Sequence, residues 1–332
     1  MSTFTLQEYP LSWRITEGQR RRIFEAFSSI ATSPYADPER FLTETLSQAE
    51  AVGFFKEAIL NYITHGSLDN QPAFYIKGLP VEDDLPVFSN ADPLSEKYAK
   101  KKTFVTEAVL AAAAFYTNTE IVAFSSINNG DLFHDIYMKD SLKNTASQKS
   151  MVSFGFHYDM GFKSDRPDWA NLACLRSSAS NRVSTSVCRN LDLIDRLSAE
   201  DLKILSQPIF VTPEEVVSLR GGEHGPDSPR IAVYYPTTPW KFKFFEGRTT
   251  SEVSEAQAAL ERLYRLCHSY KMELVLMPGD LALISNNHCA HCREVTQVAD
   301  IEAHKKRWLI KTYNRNTHGG PLKRGQFHAS PQ

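Results

Sequence analysis

The chain has 332 residues, 42% of them hydrophobic and 23% charged, with a formal net charge of −2. That length buries a large core, as one big β-rich domain or two small ones, and the near-neutral balance argues against a nucleic-acid binder, which carries a basic excess or stripe. No stretch approaches the roughly 20 apolar residues of a membrane span, the opening MSTFTLQEYPLSWRITEGQRRR lacks an apolar signal core, and a cytoplasmic enzyme is the expectation.

The first third reads as helical. Glu17 to Ile30 has apolar residues at helical spacing, and Asp37-Pro38 looks like the entry to a second helix running to about Thr64 with a break near Gly53. A strand-like run, Ala73 to Leu79, is followed by a Pro- and acid-rich loop to Pro93 and an Ala-rich helix over Lys101 to Phe115. From about Ile121 short β-branched and aromatic runs recur: 120–124, 132–137, 152–157, 171–176, 184–188, 209–212, 230–235, 241–245, 273–277, 280–285 and 307–313. Many short strands separated by turns predict a sandwich or barrel. Helical runs over Asn190–Ser206 and Ser251–Tyr270 interrupt them. The expectation is one domain over 1–332: a helical layer over 1–70, a β core with helical insertions over 71–315 and a C-terminal tail over 316–332.

Chemistry concentrates in Ser153-Phe-Gly-Phe-His157-Tyr-Asp159-Met-Gly161. Residues i and i+2 of a strand point to one face, so His157 and Asp159 are placed to bind one metal ion. Two histidines and a carboxylate define the facial triad of non-haem iron(II) oxygenases. An HxD triplet alone is more often structural, so the reading needs a second histidine well downstream. Pro278-Gly-Asp-Leu-Ala-Leu-Ile-Ser-Asn286-Asn-His-Cys-Ala-His291-Cys-Arg293 supplies it: a tight turn, a buried strand, a second turn, then His288 or His291 as the ligand on spacing alone. Next comes Lys306-Arg307-Trp308-Leu309-Ile310-Lys311, a strand carrying a cation toward the core. An unpaired buried charge is costly, and a dicarboxylate co-substrate would resolve it, since Arg307 offers a planar fork suited to a carboxylate.

In this order the pieces resemble the clavaminate synthase-like branch of the Fe(II)/2-oxoglutarate oxygenases, related to taurine dioxygenase and including amino-acid hydroxylases. The resemblance runs from about Phe74 to Tyr313 through Ile76–Glu82, His134-Asp-Ile-Tyr137, Phe156–Asp159, Leu219-Arg-Gly-Gly222, Pro278–Asp280, the His291 segment and Arg307-Trp-Leu309. It implies a mainly β fold with helices, a distorted jelly roll (double-stranded β-helix, cupin-like) flanked by an N-terminal helical layer. It implies His157, Asp159 and His291, not His288, as iron ligands, and Arg307 as partner of the distal carboxylate of 2-oxoglutarate. Ser186 falls where the family has a threonine helping that carboxylate, with Thr185 one residue away; Ser147 matches a serine on the substrate side.

Two departures stand out. The close relatives more often carry Glu where this chain has Asp159, and Lys311 occupies the position of an arginine that contacts the substrate's carboxylate. The acids with which arginine-type relatives hold a guanidinium have no clear match between Val233 and Gly247, where Glu246 is the nearest acid. The resemblance implies iron(II), 2-oxoglutarate and dioxygen as cofactor and co-substrates. Succinate and CO2 are released, and a C–H bond of a free amino acid or small derivative is hydroxylated. Desaturation or ring closure in natural-product biosynthesis is the alternative outcome. Related halogenases lack the carboxylate, so Asp159 favours hydroxylation over halogenation. No membrane or nucleic acid is expected as a partner, and the oligomeric state is open.

Other readings are weighed beside it. Cys289 and Cys292 have CxxC spacing, but structural zinc needs four ligands, commonly as two separated pairs, and no second CxxC exists. Cys174, Cys188, Cys267, Cys289 and Cys292 are an odd, sparse set, read as reduced thiols rather than a disulfide framework. A non-catalytic cupin-like binder is opposed by the intact triad and Arg307. Arg20-Arg-Arg22 reads as a solvated helix face. Gly221-Gly222 reads as a turn, since no P-loop lysine accompanies it.

Overall fold

The structure is a computed structural model and describes residues 7–124, 127–162, 166–213, 229–317 and 329–330. Two short strands, β1 (Gln7–Glu8) and β2 (Trp13–Arg14), precede α1 (Glu17–Ser28), α2 (Pro38–Gln48) and α3 (Gly53–His65). Each start has a local cause. Thr16 and Gln19 form a reciprocal capping box on α1, and Asp37 caps α2 with Pro38 in its first turn. The break between α2 and α3 is a 3-10 turn at Ala49–Val52, as the sequence predicts.

After β3 (Ala73–Lys77) comes α4 (Pro93–Lys100), which falls between the expected loop to Pro93 and the expected helix from Lys101 and which the sequence reading does not assign. Asp92 and Pro93 start it by the same Asp-Pro device as α2, so the signal was present. The expected 101–115 helix begins later, as α5 (Val105–Tyr116). The strands β4 (Thr119–Phe124), β5 (His134–Tyr137), β6 (Phe154–His157), β7 (Trp169–Arg176) and β8 (Asn181–Arg189) follow. The expected helix 190–206 is two, α6 (Asn190–Arg196) and α7 (Ala199–Leu205), because Ser198 between them caps the second.

The expected strands at 209–212, 230–235 and 241–245 form only isolated bridges, such as Phe210 with Ile231 and His157 with Phe245. The remainder is α8 (Ser254–Tyr270), β9 (Met272–Leu274), β10 (Leu281–Ser285), β11 (Cys289–Val298), α9 (Ile301–Lys305), β12 (Trp308–Asn316) and β13 (Ala329–Ser330).

Two sheets result. One has five strands in the order β1-β9-β8-β11-β6; the other has eight, β13-β4-β12-β7-β10-β3-β2, with β5 also paired to β12. Strand alternation sorts side chains into three layers. Trp308 and Ile310 of β12 join the core formed with the N-terminal helices. Leu309 faces the opposite way, into the core between the sheets with Leu172, Val187, Leu274 and Ala282. On the far side Phe156, Cys188, Ala290 and Cys292 pack against Leu260 and Leu263 of α8. This is the mainly β jelly roll with an outer helical layer that the sequence predicts. Gly279 sits in the turn before β10 with φ +85°, and a Cβ there would lie 2.4 Å from the Leu79 carbonyl oxygen, so that turn requires glycine. No helix among the described residues is long and apolar enough to cross a membrane.

Candidate metal and co-substrate site

The site lies between the sheets. β6 and β11 run antiparallel with His157 directly opposite His291, and the register then shifts so that Arg293 opposes Phe154. That bulge gives β6 one extra residue, which brings Phe154 and His157 to the same cavity despite their odd spacing. Asp159 follows β6 in a loop. The Asn286 side chain clamps it: its Oδ1 accepts from the Asp159 amide at 2.9 Å and its Nδ2 donates to the Asp159 carbonyl at 2.9 Å. Asn286 belongs to the turn that launches β11, so one turn sets both the carboxylate and the second histidine.

One ligand atom from each of His157, Asp159 and His291 lies within 4.8 Å of the others, and all three residues are buried. The Nδ1 of His157 donates to the Gly155 carbonyl at 2.8 Å, which leaves Nε2 with its lone pair 3.6 Å from Asp159 Oδ1. His291 Nε2 is 2.9 Å from Asp159 Oδ2, and burial pulls the His291 pKa down to about 4. A neutral imidazole is the form that binds metal. Burial opposes ionisation of Asp159, but Lys311 and His291 hold its carboxyl well below the usual carboxylate range. His288, the other spacing candidate, is turned to the Ser285 hydroxyl at 2.7 Å.

The three ligand candidates open on a cavity that also touches Gln148, Leu172, Thr185, Arg293, Arg307 and Lys311. Arg307, Leu309 and Lys311 alternate along the inner face of β12 and its approach, so the arginine and the lysine share the cavity wall. Arg307 is 8% exposed and its Nε has no hydrogen-bond partner among the described residues; burial lowers its pKa.

Strand parity decides between Thr185 and Ser186. Thr185 pairs with Arg293 and touches the cavity, whereas Ser186 pairs with Cys292 on the outer face and donates to Glu294 at 2.7 Å. Ser147 is buried beside the cavity, but its hydroxyl accepts from the Lys149 amide; its neighbour Gln148 lines the wall. Lys311, expected to meet a substrate carboxylate, is 2.5 Å from Asp159 Oδ2.

Arg293 is the residue the sequence reading missed. It is two positions past His291 on a strand and therefore on the same face, a signal that period-two counting would have found. Its Nη1 donates to the Gln148 carbonyl at 2.6 Å and its Nη2 to the Ser150 hydroxyl at 2.7 Å, tying the 147–152 loop to β11. Burial, with Arg307 nearby, pushes its pKa down to about 9.

The zinc reading fails on the same parity. Cys289 packs between the sheets and Cys292 on the opposite face toward α8, so the CxxC pair does not converge. Glu246 is also turned away, accepting from the Phe156 amide at 2.8 Å and pairing with His268 at 2.7 Å. Arg20 and Arg21 make exposed ion pairs along α1. Leu219–Gly222, Gly221-Gly222 included, lie outside the described residues.

Comparison with known proteins bears on the same region. Residues 104–313 match the family described as taurine catabolism dioxygenase TauD, TfdA family. The chain is 25% identical over 314 residues to clavaminate synthase 2 of Streptomyces clavuligerus, covering 92% of this chain and 93% of that protein. It is 26% identical over 237 residues to the L-lysine 3-hydroxylase of Catenulispora acidiphila, covering 68% and 63%. Among solved structures, asparagine oxygenase in complex with Fe(II), 2S,3S-3-hydroxyasparagine and succinate superposes with a TM-score of 0.77 at 20% identity, covering 93% of this chain and 94% of that one.

Proposed function

We propose that this chain, which belongs to the TauD/TfdA family of dioxygenases, holds iron(II) on His157, Asp159 and His291 and the distal carboxylate of 2-oxoglutarate on Arg307 and Thr185. Members of the family use iron(II), 2-oxoglutarate and dioxygen, and this chain is an enzyme of that kind. The observation that carries the residue roles is one cavity with three metal-ligand candidates within 4.8 Å of one another and a buried arginine, lacking any carboxylate partner among the described residues, on the same wall. Two imidazoles and one carboxylate suit iron(II), and a buried guanidinium with an orphaned Nε suits a dicarboxylate.

When bound, iron(II) would activate dioxygen, the oxidant, and 2-oxoglutarate would supply two of the electrons, taking up one oxygen atom as it becomes succinate and CO2. The chain's own residues position and protect. The bond from His157 Nδ1 to Gly155 selects the tautomer that offers Nε2. Asn286 fixes the Asp159 backbone, and Lys311 keeps its carboxylate ionised. Phe154, Leu172 and Leu309 exclude water from the wall facing the ligands.

The substrate is a free amino acid or small derivative, hydroxylated at an unactivated C–H. Support comes from sequence likeness to a lysine 3-hydroxylase and fold likeness to an asparagine oxygenase crystallised with its hydroxylated amino acid. Likeness to clavaminate synthase 2 keeps desaturation or ring closure as the alternative outcome. The test is an amino-acid panel with iron(II), ascorbate and 2-oxoglutarate, read by mass. Gain of one oxygen with stoichiometric succinate is the expected result, and loss of two hydrogens marks the alternative. Failure of the protein to bind iron(II) and 2-oxoglutarate would overturn the reading.

A further inference from the structure

We infer from the charge lining of the cavity that the substrate is anionic: an amino acid with a carboxylate side chain, or an amino-acid derivative of net negative charge. The inference rests on the iron and 2-oxoglutarate reading above.

Among the described residues, the charged ones on the cavity wall are Asp159, Arg293, Arg307 and Lys311. Three described acids of the strands and loops framing the site point elsewhere and are engaged. Asp135 of β5 pairs with Lys97 at 2.6 Å and accepts from Trp308 Nε1 at 2.8 Å. Glu294, next to Arg293 on β11, takes the Ser186 hydroxyl and pairs with Lys271. Glu246, two residues past Phe244, is held by the Phe156 amide and His268. Among the described residues, therefore, Asp159 is the one carboxylate on the wall.

The balance survives loading of the site. Once iron(II) is balanced by Asp159 and one carboxylate of 2-oxoglutarate, and Arg307 by the other carboxylate, the charges of Lys311 and Arg293 are left. Arg293 is surrounded by carbonyl and hydroxyl oxygens that solvate it without neutralising it. In a cavity of reduced dielectric such an excess acts over several ångströms. A substrate ammonium or guanidinium side chain would add a like charge with no described carboxylate to receive it, whereas a side-chain carboxylate meets a field of opposite sign. Gln148 offers a neutral amide on the same wall, and Ile136, Leu172 and Leu309 offer apolar contact for the methylene stem.

The experiment is an anaerobic calorimetric titration of the iron(II)-loaded full chain, saturated with 2-oxoglutarate, using two matched pairs: L-aspartate with L-asparagine, and L-2-aminoadipate with L-lysine. The acid of each pair is expected to bind at least about tenfold more tightly, since it alone brings a side-chain charge opposite to the excess on the wall. Lysine or asparagine binding as tightly as its acidic partner overturns the inference, as does 2-oxoglutarate binding with neither acid bound. Failure of 2-oxoglutarate itself to bind overturns the parent reading and this one with it, so the two failures are distinct. A second arm repeats the titration with Gln148→Glu. The preference for the acids is expected to narrow by roughly tenfold, and a preference left untouched overturns its assignment to the charge of the cavity.

Discussion

Behind the eight-stranded sheet, where α4 and α5 pack, Lys97 is held between Asp131 at 2.8 Å and Asp135 at 2.6 Å, and Lys101 between Glu82 at 2.7 Å and Glu107 at 3.0 Å. In front of the same sheet, the cavity has Arg293, Arg307 and Lys311 against Asp159. Both regions bury charge, with opposite balances. The rear clusters have two carboxylates per lysine and close on themselves, the first joining α4 to strand β5 and the second joining the end of α4 to α5. The cavity keeps cations that no described acid neutralises. Buried charge that is paired argues for architecture, and buried charge left unmatched argues for a ligand.

The largest effect that would break this contrast falls on the metal-ligand candidates. Asp159→Ala is expected to abolish hydroxylation and to reduce iron binding by more than ~100-fold, beyond what changes outside the ligands themselves produce; full activity in that variant would sink the triad.

Lys97→Met comes next and acts on stability. Removing one member of a buried ion cluster costs about 3–5 kcal/mol, measurable by urea unfolding, while 2-oxoglutarate affinity of the folded protein is expected to hold. Arg307→Ala should do the reverse. Loss of a buried charge-pair partner weakens 2-oxoglutarate binding by ~30-fold or more, with iron retained and thermal stability unreduced, because the ligand-free protein loses an uncompensated cation. Unchanged co-substrate affinity would remove Arg307 from the site.

A smaller effect sharpens the strand parity. Thr185→Val is expected to weaken 2-oxoglutarate binding by roughly fivefold, one hydrogen bond's worth, and Ser186→Ala to leave it unchanged; the opposite order would reverse the assignment.

The smallest effect concerns pH. Burial, reinforced by Glu82, pushes the Glu107 pKa from the ordinary 4.5 up to about 7. The folded state therefore holds this proton more tightly than the unfolded chain. The associated stability is fully present below about 4.5 and is lost as pH rises through about 7. Glu107→Gln should flatten that decline in urea melts across the same window, and an unaltered slope would place the titration elsewhere.

The residue types and their order along the chain already contained the reaction class: the HxD triplet, a downstream histidine after Pro-Gly-Asp, and an arginine opening a strand. A sandwich or barrel was readable from the many short strands separated by turns, and the family resemblance narrowed it to the jelly roll. Where the sequence reading fell short, the reason is tertiary. Three of the expected strands, at 209–212, 230–235 and 241–245, have the composition of strands but only isolated bridges, since pairing depends on partners that composition does not reveal. Helix α4 was missed although Asp92-Pro93 carries the same start signal as α2.

Within the site, spacing left His288 and His291 both open, and family resemblance preferred His291; the fold gives the physical reason, since β11 places His291 opposite His157 and turns His288 to Ser285. Thr185 and Ser186 differ by one position, and a strand sends adjacent side chains to opposite faces, so only the observed pairing puts Thr185 inside. The charge balance of the cavity was the least accessible from sequence. It depends on which way Asp135, Glu246 and Glu294 turn, and that is set by their partners Lys97, His268 and Lys271, each distant in sequence or on another element. Sequence alone determined the chemistry on offer; the tertiary structure decided which charges face it, because burial and pairing are properties of neighbours that only the folded chain brings together.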